Sequence, residues 1–169
     1  MNNLIDVEML IYEAMKHGMS FLIEDAKKFI QQNGAFKQIS ESQINSLSKV
    51  VTDALTYEKL RKDVDDWLTK QADKKSGQKW AGIKKTLLNA LFGQWDVWRD
   101  QLITTIQTRG PSQLTLNEIE HFLIHSESNT NSIRREMAIA WFQALITIHR
   151  CMKHKSWEEF QPVEEEVII

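Results

Sequence analysis

The side chains able to do chemistry here are five histidines, one cysteine and 21 lysines and arginines, and their spacing decides which chemistry is open. His121 and His125 stand four apart, so on a helix they share a face, and Glu118 with His121 forms one Glu-x-x-His motif. A dimetal centre in a helical bundle needs that motif twice, with two further carboxylates. It occurs once, so the pattern predicts a polar helix face and no metal or other cofactor. Cys151 has His149 two positions away, which puts the pair on different helix faces. The thiol is therefore read as a small apolar side chain beside Met152. The glycine patterns that wrap phosphates in nucleotide-binding loops are absent. One helical class of ribonucleases pairs an arginine with a histidine across four to six intervening residues, whereas Arg150 and His154 have only three residues between them. These spacings predict a protein that is not an enzyme.

The cations are more informative. Lys70, Lys74, Lys75, Lys79, Lys84 and Lys85 gather around a central polar stretch. Arg134 and Arg135 open the last helical segment, and His149, Arg150, Lys153, His154 and Lys155 close it. Binding to a phosphate backbone needs several such charges on one face, because affinity comes from releasing condensed counterions. Cations closing a helix also offset its macrodipole, but a helix start disfavours them, which makes Arg134-Arg135 the sharpest local anomaly. The candidate nucleic-acid contacts are Lys74, Lys75, Lys79, Lys84, Lys85, Arg134, Arg135, Arg150 and Lys153. RNA or single-stranded DNA and other protein subunits are the expected partners.

The elements that must position these residues are helical. Apolar residues recur every three or four positions in six segments, and none shows sustained alternation. The first segment covers Leu4 to Gln32, with Gly18 as a kink and Asn33-Gly34 as a stop. Ser40-Glu41-Ser42-Gln43 has the form of a capping box, with Ile39 and Ile44 placed as a hydrophobic staple. The stripe Ile44, Leu47, Val51, Leu55 is out of phase with Leu60, Val64, Trp67, Leu68, which predicts a break near Thr56-Tyr57. Residues 72–79 read as an exposed loop. The longest stripe follows, from Trp80 through Leu91 and Trp95 to Ile106, and Arg109-Gly110-Pro111 ends it. Thr115-Leu116-Asn117-Glu118 is a second capping box, stapled by Leu114 and Ile119, and a polar loop is expected over 126–131. The last segment is apolar on two faces, Ile133, Met137, Trp141, Leu145 and Ile139, Phe142, Ile146, so it belongs at the centre of the bundle. Five of the six tryptophans, Trp67, Trp80, Trp95, Trp98 and Trp141, fall on core stripes, which assigns them to packing. Trp157 is left to dock the tail.

The fold class is thus all-α, a single-domain bundle of five to seven helices over residues 1–155, followed by an acidic tail at 156–169. All five charges of the tail are glutamates, so the remaining 155 residues carry 21 basic and 18 acidic groups beneath an overall charge of −2. Two prolines and six glycines exclude collagenous and turn-rich all-β classes, and one cysteine excludes an internal disulfide framework. No signal peptide or membrane-length apolar run is visible, so a reducing, cytoplasmic setting without membrane contact is expected.

Two stretches resemble the helical small subunits of type III CRISPR effector complexes. Ile39-Ser40-Glu41-Ser42-Gln43-Ile44-Asn45-Ser46-Leu47 is similar to that family's Ser/Thr-rich helix start, with Asn45 where an arginine is usual. Trp141-Phe142-Gln143-Ala144-Leu145-Ile146-Thr147-Ile148-His149-Arg150 resembles its closing helix. The resemblance implies a non-catalytic antiviral-defence protein, stacked in several copies beside other subunits along a guide–target duplex. Leu114 to Met137 also looks like a helix-turn-helix, with Ser132-Ile133-Arg134-Arg135-Glu136 similar to the recognition helix of some bacterial repressors. A helical adaptor of phage or host-defence type, without nucleic acid, is the third reading the residues leave open.

Overall fold

A computed structural model describes residues 4–74, 78–109, 115–124 and 127–153. Among them are eight α-helices: α1 (Leu4–Gly18), α2 (Ser20–Gln32), α3 (Glu41–Asp53), α4 (Tyr57–Ala72), α5 (Gln78–Phe92), α6 (Trp95–Arg109), α7 (Leu116–Ile124) and α8 (Glu127–Lys153). A 3-10 turn at Gly34–Gln38 joins α2 to α3, and the described residues contain no strand. The chain is all-α, as the periodicity predicts. Two of the six sequence segments, 4–32 and 80–106, are divided by short breaks, so the described residues hold eight helices where five to seven are expected.

The chain breaks where local chemistry demands it. Ser40 Oγ accepts from the Gln43 backbone N–H at 3.3 Å to open α3, and Ile39 and Ile44 are both fully buried beside it. Thr56 caps α4 by accepting from Lys59 N–H at 3.1 Å, so the two out-of-phase stripes sit on separate helices. At α7 the capping box is complete: Glu118 N–H donates to Thr115 Oγ1 (3.2 Å) and Thr115 N–H to Glu118 Oε1 (3.4 Å). Its expected staple partner Leu114, the stop at Gly110-Pro111 and the tail at 156–169 lie outside the described residues.

Two boundaries differ from the sequence reading. The stripe from Trp80 to Ile106 keeps its phase, yet the chain leaves the helix at Gly93-Gln94. Gly93 N–H still bonds Asn89 C=O at 2.8 Å, and a Cβ built at Gly93 would lie 2.9 Å from that carbonyl and collide with the Asn89 side-chain oxygen. Glycine is required there by the close approach, and periodicity is blind to it because Leu91 and Trp95 stay in register across the bend. The last helix also starts earlier, at Glu127, so most of the expected 126–131 loop is helical. Thr130 secures that first stretch, its hydroxyl donating to Leu123 C=O at 2.7 Å while itself buried.

The 27-residue α8 is the axis of the bundle, packing against α2, α3, α4, α5 and α7. Met137, Ala138, Trp141, Phe142, Leu145 and Ile146 are all buried, so both of its apolar faces are used. Edge-to-face rings run through the interior: Trp67 to Trp80 (4.9 Å between centroids), Trp80 to Phe36 (6.5 Å), Phe36 to Phe29 (5.7 Å) and Phe29 to Trp141 (5.3 Å). Each such pair contributes about 0.5–1.5 kcal/mol beyond its buried area. Trp141 Nε1–H also donates to Asp25 Oδ2 at 3.0 Å, tying α8 to α2.

Candidate nucleic-acid interface

The candidate cations fall into two groups with different surroundings. Arg134 and Arg135 lie in the third turn of α8, seven and eight residues after its first residue, beyond the reach of the helix-start dipole. Their side chains turn inward. The Arg134 guanidinium sits over the rings of Trp95 (4.9 Å to the centroid) and Tyr57 (5.6 Å), joining α8 to the starts of α6 and α4. Arg135 Nε–H donates to Ala54 C=O at 2.7 Å, the carbonyl that closes α3, and its Nη1 lies 3.2 Å from Glu136. The anomaly read from the sequence therefore has a packing explanation: this cation serves the C-terminus of α3.

Arg150, at the other end of α8, donates from Nη2 to Asn45 Oδ1 at 2.8 Å and has Nε 3.7 Å from Glu41. One residue earlier, buried His149 contacts Ile39 C=O through Nε2 at 2.9 Å. Because a carbonyl only accepts, Nε2 carries the proton. The two stretches that carry the family resemblance thus pack directly on each other, with Arg150 filling the contact to Asn45. The Lys153 side chain and all of Lys75 lie outside the described residues.

The second group is on the α4–α5 hairpin. Lys74, Lys79 and Lys85 are exposed, and Lys84 is half-buried. Lys84 Nζ bridges α5 to α4, 2.7 Å from Thr69 Oγ1 and 3.3 Å from Asp65. Lys79 Nζ donates to Gln38 C=O at 3.2 Å. Sequence clustering around the loop missed Arg61 and Lys62, which face the same hairpin groove from α4. Arg61 stacks over Tyr57 and Phe92, both at 5.9 Å. The signal that finds them is the helical step from Lys62 and Asp65 to Thr69, which puts them on the side that meets Lys84. Among the described residues, Lys62, Lys70, Lys74 and Lys85 are exposed and no carboxylate pairs with them.

The hairpin groove, about 560 Å³, is lined by Glu58, Arg61, Lys62, Asp65, Leu88, Asn89, Phe92 and Gly93. On the other side of α5 a cleft of about 260 Å³ lies between α2 and the α5–α6 bend. No group of three or more histidine, cysteine or acidic residues able to hold a metal occurs among the described residues. Cys151 is half-buried. No helix among the described residues is long and apolar enough to cross a membrane. Large exposed apolar side chains stand on separate elements: Met9 on α1, Ile23 on α2, Leu55 in the α3–α4 turn, Val97 on α6, and Leu116 and Ile124 on α7. Comparisons with protein-family models, with curated proteins and with solved structures return no match.

Proposed function

We propose that this chain is a non-enzymatic helical subunit of a ribonucleoprotein assembly, holding an RNA or single-stranded DNA backbone along the α4–α5 hairpin. The observation that carries this reading is charge segregation. Residues 57–92 hold nine lysines and arginines against five acidic residues, in a chain whose totals are 21 and 23. Two of those five acids already face hairpin lysines, Asp63 with Lys59 at 3.3 Å and Asp65 with Lys84 at 3.3 Å. A positive hairpin on a weakly acidic protein attracts a polyanion locally without making the whole chain sticky. The resemblance of 39–47 and 141–150 to type III CRISPR small subunits adds support to the assembly part of the reading.

The test is a gel-shift series with RNA, single-stranded DNA and duplex DNA at two salt concentrations. Salt-sensitive retention of single strands is expected, and it should be lost in the charge-reversed pair Lys62→Glu with Lys85→Glu while helical circular dichroism is unchanged. Retention that survives both reversals places the contact elsewhere. Preferential, sequence-specific duplex binding as a dimer would favour the helix-turn-helix reading instead.

A further inference from the structure

The groove on the α4–α5 hairpin and the cleft between α2 and the α5–α6 bend share one wall, Asn89. From the shared wall, Arg61 and Lys62 lie on one side and Lys28 on the other, with Lys85 one helical turn before Asn89. The chemistry changes along this line. The hairpin groove offers Arg61 and Lys62, with the carboxylates Glu58 and Asp65, beside the apolar Leu88 and Phe92, and the cleft beyond offers amides and a hydroxyl: Gln32, Asn33, Thr86 and Gln94. Two of the acids along the line are already engaged, Asp65 with Lys84 and Asp25 as acceptor from Trp141.

Resting on the function proposed above, we infer that an unpaired nucleic-acid strand crosses α5 at the bend. Its phosphates sit on Lys62, Lys85 and Lys28, and base edges face Asn89 and Gln94. Amide side chains present a donor and an acceptor side by side, which matches exposed base edges. A duplex keeps those edges in its grooves and would meet only the lysines. Arg61 over Phe92 gives a flat cationic and aromatic surface on which a splayed base can stack. The missing side chain at Gly93 has a role here as well: it brings Asn89 against the bend, where one amide borders both recesses.

The experiment is fluorescence anisotropy of the full chain with a labelled mixed-sequence strand, as RNA and as DNA, and with an abasic strand of equal length that has phosphates and no bases. The wild type should bind the abasic strand about tenfold more weakly than the mixed strand, the loss expected for one or two base-edge hydrogen bonds. Asn89→Ala with Gln94→Ala should bring the mixed strand down to the abasic level and leave the salt dependence unchanged. Equal wild-type affinity for mixed and abasic strands overturns base contact at the bend while leaving the backbone-binding role intact. The same holds if the double variant binds the mixed strand as the wild type does. Absence of binding to every strand overturns both proposals.

Discussion

Replacing Arg134 separates a structural cation from a phosphate contact. The guanidinium lies 4.9 Å from the Trp95 centroid and 5.6 Å from that of Tyr57, and the residue is half-buried. A cation over an aromatic face contributes about 0.5–1 kcal/mol when exposed and about 2 kcal/mol when desolvated, so the closer Trp95 contact is placed near 1 kcal/mol. Arg134 Nε is also buried without a hydrogen-bond partner, which costs part of that gain and blurs any single substitution. A double-mutant cycle cancels this cost. Arg134→Met keeps the packing of the stem, Trp95→Leu removes the ring, and the two singles and the double are unfolded in urea with helical circular dichroism as the signal. A coupling of about 1 kcal/mol is expected between them, with a smaller one in the cycle using Tyr57→Leu. Arg134→Met should leave polynucleotide retention at the wild-type level. Coupling within about 0.3 kcal/mol of zero, together with lost retention, would return Arg134 to the surface role its sequence position suggests.

Other consequences are more local. Leu145→Ala, at a fully buried position of α8, should cost about 2–5 kcal/mol in chemical denaturation, whereas Leu55→Ser, 81% exposed in the α3–α4 turn, should stay within about 0.5 kcal/mol. Asp25→Ala strands the Trp141 indole N–H and should cost about 1–3 kcal/mol; Asp25→Asn, which keeps an acceptor, should recover much of it. Gly93→Ala drives a Cβ against the Asn89 carbonyl and should destabilise by about 1–3 kcal/mol, and a gain in stability would remove the case for a glycine-dependent bend. Burial first, then the carboxylates of Glu8 and Glu136, hold the Tyr12 phenol above its ordinary pKa, with a Ser132 hydrogen bond opposing them. The folded chain keeps that proton to higher pH than the unfolded chain, so this contribution is intact below about pH 10 and is lost as pH rises beyond it. Tyr12→Phe should flatten the alkaline decline in stability, and an unchanged decline contradicts the assignment.

Helix starts and core faces were legible because each has a local cause. Ser40, Thr115 and the phase jump at Thr56 announce themselves in four or five residues, and the two apolar faces of α8 reveal its central position. The bend at Gly93 was hidden, since the stripe through Leu91 and Trp95 continues in phase and only a backbone approach to Asn89 demands the glycine. The roles of Arg134, Arg135 and Arg150 were hidden for a different reason. Their partners, Trp95 and Tyr57, Ala54, and Asn45, are brought in by tertiary packing from distant stretches of chain. Arg61 and Lys62 were overlooked because loop clustering counts charges along the chain, whereas the groove gathers them across two helices.

If the unpaired lysines of the α4–α5 hairpin hold a polyanion, single-strand affinity must depend on salt, and that dependence is the measurement to make. Each phosphate neutralised on a single strand steepens the slope of log K against log salt by about 0.7. The wild type should show a steep negative slope, and Lys62→Glu with Lys85→Glu should flatten it by about 1.4 or more with stability unchanged. An identical slope in that variant, or affinity indifferent to salt in the wild type, would mean that the hairpin lysines hold no strand.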